Sequence, residues 1–410
     1  MKKKVIALLL IVAIVATCLV ALAACNKDKD EFIFGLITLH DSSSTYDKNF
    51  IDAAQAACDE LGVKLIVKSG IDETDACYNT AMDLVDQGCD VIFADSFGHE
   101  PFMLKAAKEA TNVQFYHATG FRAGTANQAN FHDAFASIYQ GRYLAGVAAG
   151  MKLAAMKAAD STVQSKVGYV GAYTYAEVVS GLTSWYRGVK SIVSDVTMEV
   201  QFTGSWFDPT AEKTAAETLI SRGAVVMSQH ADSMGAPSAC EEASVPDITY
   251  NISTKASCPN TYVIGSKIDW TPYFKMIINA AKNGTEIAAD WCGGFDVGAV
   301  ALTEIGTAAA AGTAEKLAEV KASLLAGTTQ VFDCSTIKYN GKALDQAIAD
   351  NDVAKDNTAE NPHTLGMYAS YIKTFGTSGK YFSESDVSVG TSAPYFDLQI
   401  DGITFLNTRF

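Results

Sequence analysis

No two cysteines in this 410-residue chain stand at C-x-x-C spacing. That excludes a zinc knuckle and a thioredoxin-like motif. Nucleophile-elbow G-x-S-x-G, phosphate-cradling G-x-x-x-x-G-K-[ST], dinucleotide-binding G-x-G-x-x-G and H-E-x-x-H are all missing. The chain therefore lacks the local signatures of a hydrolase, a nucleotide-cleaving enzyme or a zinc protease, and is read as a protein that is not an enzyme. Basic residues are also scarce: 31 Lys and Arg stand against 46 Asp and Glu, a net charge of -15. Three of those lysines are Lys2, Lys3 and Lys4 at the extreme N-terminus. An acidic chain without a basic face is a poor partner for nucleic acid. Metal ligation needs three or four converging groups. His230 with Asp232, and His132 beside Asp133, supply two each, so no metal and no cofactor is expected.

Long apolar runs are also few. The one present, "VIALLLIVAIVATCLVALAA", follows "MKKK" and ends at Cys25. A basic start, an apolar middle and small residues before a cysteine describe a secretory leader. Residues 1–24 are read as that leader, and residues 25–31 as a solvated tether. Nine cysteines fall to seven once Cys18 and Cys25 are set aside. That odd number leaves at least one without an intrachain partner. Cys240 and Cys258 are a possible pair, and most of the seven suit small buried apolar positions.

Beyond the leader the hydrophobic period switches repeatedly. "FIFGLITL", "VKLIVKS", "CDVIFADS" and "NVQFYHATG" are short apolar runs of the buried-strand type. Helical patterns lie between them: "DKNFIDAAQAACDELG" places Phe50, Ala53, Ala54, Ala57, Cys58 and Leu61 on one face, with Gly62 as a stop. An alanine-rich helix is predicted from about Phe131 to Ala158. The alternation then restarts with "KVGYVGAY", "TMEVQFTG", "AVVMSQ", "DITYN" and "TYVIGS" as strands. Strand–helix alternation predicts parallel sheets covered by helices. Its occurrence twice predicts an α/β protein of two doubly wound lobes joined by a hinge. One lobe is placed at residues 32–128 and 267–292, the other at 129–266 and 293–340, with 341–410 packing on them. In "IKYNGKAL" the Asn-Gly pair predicts a hairpin turn.

Ligands of open parallel sheets bind outside the carboxyl ends of the strands. The residues there are rings and acceptors: Asp41 and Tyr46 after the first strand, Phe97 after the third, Trp206 in "GSWFDP", His230 and Asp232 in "SQHADS", Asp269 and Trp270 in "IDWTPYF". Flat rings give stacking area and a few polar groups fix orientation, which suits a nitrogen-rich heteroaromatic ligand. Blander roles exist for some of them. Asp208 before Pro209 is a good helix N-cap, and Asp41 can order the "SSST" turn.

Together, "LAAC", "FYHATGF", "YQGRYLAGVAAG", "GSWFDPTAEKTAAETLISRGA" and "SQHADS" resemble the BMP family from about Phe32 to Tyr339. These are basic membrane protein, or purine-nucleoside-receptor-like, lipoproteins that serve as substrate-binding components of ABC transporters. "IDWTPYF" is similar to a tryptophan-containing, Med-like or adenine-binding branch. The resemblance implies the type I periplasmic-binding-protein fold and lobe closure over a purine base or nucleoside. It also implies an ABC permease as partner, lipidation of Cys25 and a position outside the cell membrane. It points to Asp41, Phe97, Trp206, Asp269 and Trp270 as ligand groups. Two motifs depart: in "DSSSTY" the family's stacking aromatic is displaced or lost, and "TYNIS" has Asn251 where an acid grips ribose, which favours a free base or an altered ligand. A sugar or other small-solute binder on the same fold, and a surface sensor or adhesin, are the competing readings.

Overall fold

The computed structural model describes residues 31–356 and 362–408. The leader and Cys25 lie outside the described residues. Among those described, no helix is long and apolar enough to cross a membrane.

Two sheets dominate. The first has six parallel strands in the order β11-β5-β4-β3-β1-β2: β1 Ile33–Ile37, β2 Lys64–Lys68, β3 Val91–Ala94, β4 Gln114–Ala118, β5 Phe131–Ala136 and β11 Asp290–Gly293. The second has seven, in the order β12-β10-β9-β8-β6-β7-β17: β6 Lys166–Gly171, β7 Thr197–Phe202, β8 Met227–His230, β9 Asp247–Tyr250, β10 Tyr262–Ile268, β12 Val300–Leu302 and β17 Ile403–Phe405. Only β12 runs antiparallel to its neighbour there. The α/β type I two-lobe architecture follows from this wiring. The chain crosses between the lobes three times: at Ser137, at Asp269–Trp270 and between Gly293 and Val300.

Local chemistry sets the elements. The helix Thr45–Leu61 starts at Ser44, whose hydroxyl accepts the N–H of Asp47, and stops at Gly62 in the left-handed region with φ 61°. Its buried face is Phe50, Ala53, Ala54, Ala57 and Cys58, as the spacing predicts. The glycines of "RYLAGVAAG" serve packing. A Cβ on Gly146 would come within 2.0 Å of the Trp185 carbonyl oxygen, and one on Gly188 within 2.1 Å of that of Tyr143. Two helices, Ile138–Ala159 and Ala176–Ile192, meet backbone to backbone there.

Three expectations need revision. Residues Phe131–Ala136 are strand β5, and the alanine-rich helix begins at Ile138. The run is fully buried and hydrogen-bonds to β4 and β11, so sheet pairing overrides helical propensity. The boundary of the first lobe therefore moves from residue 128 to Ser137. On the return, Lys267 and Ile268 remain in β10 of the second lobe. The segment after residue 340 supplies β17, which pairs alongside β7 at the edge of the second sheet.

Asn340 and Gly341, at φ 50° and 81°, turn the hairpin of β13 Lys338–Tyr339 and β14 Lys342–Ala343. A second hairpin pairs β15 Ile372–Phe375 with β16 Gly379–Phe382. Cys240 and Cys258 do not form a disulfide; both are buried thiols whose pKa burial raises.

Candidate functional site

The carboxyl ends of both sheets face one another across a small cavity. Leu39, His40, Tyr46, Asp47, Ser96, Phe97 and Thr119 line it from the first lobe. Glu177, Trp206, His230 and Asp232 line it from the second. The lobes touch around it. The Thr45 N–H donates to the Asp232 carbonyl at 2.8 Å. The rings of His40 and Phe207 stand 5.3 Å apart, and those of Phe97 and Tyr175 stand 5.7 Å apart. This is the closed arrangement of a hinged pair.

Two strand-end loops of the second lobe are tied into one wall. The Asp232 N–H donates to the Trp206 carbonyl at 2.9 Å. Behind them, the buried carboxylate of Glu212 accepts the N–H of Asp208 and the N–H of Ser233 at 3.2 Å each. Asp208 caps its helix by accepting from Thr210 and Ala211. One buried acid thus holds "SWFDP" against "SQHADS". Tyr173 stacks on Tyr175 at 4.9 Å and meets Trp206 edge-on at 5.0 Å. With Phe97 and Phe121 these rings form an aromatic rim across the cleft mouth.

The polar lining is rich in acceptors. Asp232 has its pKa raised by burial and by the nearby Asp47, Glu212 and Glu177, and its Oδ1 has no protein partner. Burial and the Asp47 carboxylate likewise raise Asp95, just behind the wall. For Asp47 burial works against ionisation, but hydrogen bonds involving His40 and Ser44 outweigh it and lower the pKa. His230, 3.4 Å from Glu177, is pushed toward the neutral form by burial. Beneath it the buried Arg142 guanidinium lies 3.4 Å over the Tyr250 ring and donates to the Gln229 carbonyl. It is the cation facing this acidic set. A ligand here meets aromatic faces and carboxylate oxygens, so it has to bring hydrogen-bond donors.

Of the residues picked from sequence, Tyr46, Phe97, Trp206, His230 and Asp232 converge on the cavity. Three stand apart from its wall. Asp41 is exposed and accepts the N–H and hydroxyl of Ser43, ordering its own turn. Asp269 lies in a hinge crossing and accepts the Thr271 N–H. Trp270 is 1% exposed, stacked at 4.6 Å on Phe50 within the first-lobe core. It points down because Phe50, Phe93, Phe135 and Phe274 offer rings on that side. The sequence reading missed Asp47 and Glu177. Each sits in a strand-end cluster, "STYDKN" and "GAYTYAE", which is the signal that would have found them. Among the described residues, side chains with metal-ligand spacing converge at Glu100, His117 and Asp133, behind the wall.

Residues 36–331 match the model of the Bmp family, described as ABC transporter substrate-binding protein, PnrA-like. The chain is 32% identical over 217 residues to the putative ABC transporter glucose-binding protein TsgA13 of Haloferax volcanii, covering 53% of this chain and 52% of that one. It is 31% identical over 198 residues to a purine-binding protein of Brucella abortus, covering 48% and 53%. The chain thus spans about half the length of these curated relatives. A solved ABC transporter solute-binding protein from Aeropyrum pernix superposes with a TM-score of 0.63 at 16% identity, over 78% of this chain and 97% of that one.

Proposed function

The chain belongs to the Bmp family of PnrA-like ABC transporter substrate-binding proteins, and from that premise we propose that it captures a purine base or nucleoside by lobe closure. The captured solute passes to an ABC permease. The role is extracytoplasmic, with a lipid on Cys25 holding the protein at the membrane. Binding, with no bond made or broken, is the whole of the activity.

One observation carries the reading: Trp206, Tyr46 and Phe97 surround a closed space whose polar atoms are mainly the carboxylates of Asp47, Glu177 and Asp232. Flat rings suit a base, and acceptors suit its N–H groups. The Asp47 carboxylate, held ionised by its hydrogen bonds, repels phosphate and disfavours nucleotides. A sugar is the second reading, favoured by the same acceptor-rich lining, since hydroxyl groups are donors too, and by the likeness to a glucose-binding relative.

Mass spectrometry of the small molecule retained through purification tests the proposal directly. Calorimetric titration with adenine, guanine, adenosine, AMP and glucose then ranks the candidates. Tight binding of a base or nucleoside, with none by AMP, is the expected outcome. Binding of glucose with no response to any purine overturns it.

A further inference from the structure

Three buried side chains from separate segments meet behind the cavity wall: His117 in β4, Asp133 in β5, and Glu100 at the start of the helix Glu100–Glu109. They are 0%, 0% and 1% exposed, and one ligand atom from each lies within 4.8 Å of the others.

The surrounding hydrogen bonds decide what each atom can offer. His117 Nε2 lies 2.7 Å from the Ser96 carbonyl oxygen. A carbonyl oxygen only accepts, so Nε2 carries a hydrogen, and Nδ1 is the ring atom turned to the cluster. That atom faces Asp133 Oδ1 at 3.4 Å, and neither has another protein partner. Asp133 Oδ2 accepts the N–H groups of Arg122 and Ala123 at 3.0 and 2.8 Å, which leaves Oδ1 turned to the cluster. Glu100 Oε1 accepts those of Phe121 and Arg122 at 2.8 and 2.7 Å, and its Oε2 pairs with the Arg122 guanidinium at 3.3 Å. His117 Nδ1 and Asp133 Oδ1 face each other with no other protein partner, and a positive charge fits between them.

A proton and a metal ion both supply that charge. Two ligands on one tetrahedral ion, each at about 2.0–2.1 Å, stand roughly 3.3–3.4 Å apart. The 3.4 Å between His117 and Asp133 admits such an ion. The His230–Glu177 pair stands at the same distance, so what sets this cluster apart is the third ligand, Glu100. We propose that His117, Asp133 and Glu100 form a binding site for a divalent transition ion of the Zn2+ or Mn2+ class. One imidazole nitrogen with two carboxylates suits those ions. The nitrogen ligand disfavours Ca2+, which takes oxygen.

The ion would brace one wall of the ligand cavity. The Thr119–Ala123 segment closes over the three side chains. Thr119 lines the cavity with φ 63°, and Phe121 meets Phe97 at 6.2 Å on the rim. Gly120 sits so close that a Cβ there would come within 2.0 Å of Asp133 Oδ1.

The test uses untagged protein stripped with a chelator, then titrated calorimetrically with ZnCl2, MnCl2 and CaCl2 while Tm is followed. One Zn2+ or Mn2+ per chain with a higher Tm, and no response to Ca2+, is expected. X-ray absorption at the zinc edge should show only nitrogen and oxygen neighbours. His117→Gln and Asp133→Asn should each weaken Zn2+ binding at least tenfold. Glu100→Gln, which keeps an acceptor oxygen and the side-chain shape, covers the case in which either fails to fold. Absence of bound metal with Tm unmoved, or Zn2+ binding unchanged in the variants that fold, overturns the proposal. Nitrogen NMR showing both ring nitrogens of His117 protonated would then identify the occupant as a proton.

Discussion

The N–H of Thr45 in the first lobe reaches the carbonyl oxygen of Asp232 in the second at 2.8 Å. This direct backbone bond across the cleft exists only when the lobes are shut. Thr45 is the first residue of its helix, where proline is well tolerated, and Ser44 before it is already extended at ψ 131°. Thr45→Pro should therefore leave the fold intact while deleting the bond. A net loss of about 0.5–1.5 kcal/mol corresponds to roughly two- to twelvefold weaker ligand binding. Calorimetry measures the loss, and unchanged affinity would remove this bond from the closing mechanism.

Trp206→Ala should cost ligand affinity and little stability, because the ring is half-buried at the cleft. Loss of stacking is worth about 1–3 kcal/mol. Tm of the ligand-free protein should stay near that of the parent. Equal affinity in the two proteins would place Trp206 outside the binding surface.

Trp270→Ala should behave in the opposite way. The ring packs among Phe50, Phe93 and Phe274 in the core, so truncation should cost about 3–5 kcal/mol of stability. Denaturant unfolding reads this as a lower midpoint, while the folded fraction still binds ligand. A fully stable variant that has lost binding would return Trp270 to the ligand surface.

Stability should fall as pH rises from weakly acidic to alkaline. Burial pushes Asp247 from its ordinary 3.8 up to about 8, and Glu212 from 4.5 to about 7. A carboxyl raised in the folded state binds more protons there than in the unfolded chain. Its contribution is complete below the unfolded value and is lost as pH climbs through the folded one. Tm measured between pH 5 and pH 9 should decline, and Asp247→Asn should flatten that decline. A parent Tm that rises over this range would contradict the assignment.

Much of the fold was legible because its signals are local. The helix Thr45–Leu61 carried its apolar face, its serine cap and its terminal glycine within one short stretch. The hairpin at Asn340 and Gly341 needed only two residues to declare itself. Strand β5 was not legible. "FHDAFA" runs straight into an alanine-rich helix, and only pairing with β4 and β11 makes it extended. The ligand site was half legible for a related reason. Spacing identifies which loops end at the cleft but not which way each side chain turns. Asp41 lies in the loop after β1 and Asp47 six residues on, in the first turn of the next helix, yet the first orders its own turn while the second lines the cavity.

The amino-acid order by itself determined the two-lobed alternation of strands and helices, and with it the mouth where polar and aromatic loops collect. Periodicity and turn chemistry act between near neighbours, and parallel wiring places all strand ends on one side. Only the tertiary structure decided that Trp270 turns into the core, that β17 closes an edge of the second sheet, and that Glu100, His117 and Asp133 meet. Those outcomes depend on contacts between residues far apart in the chain, whose directions are set by register and packing and leave no trace in local spacing.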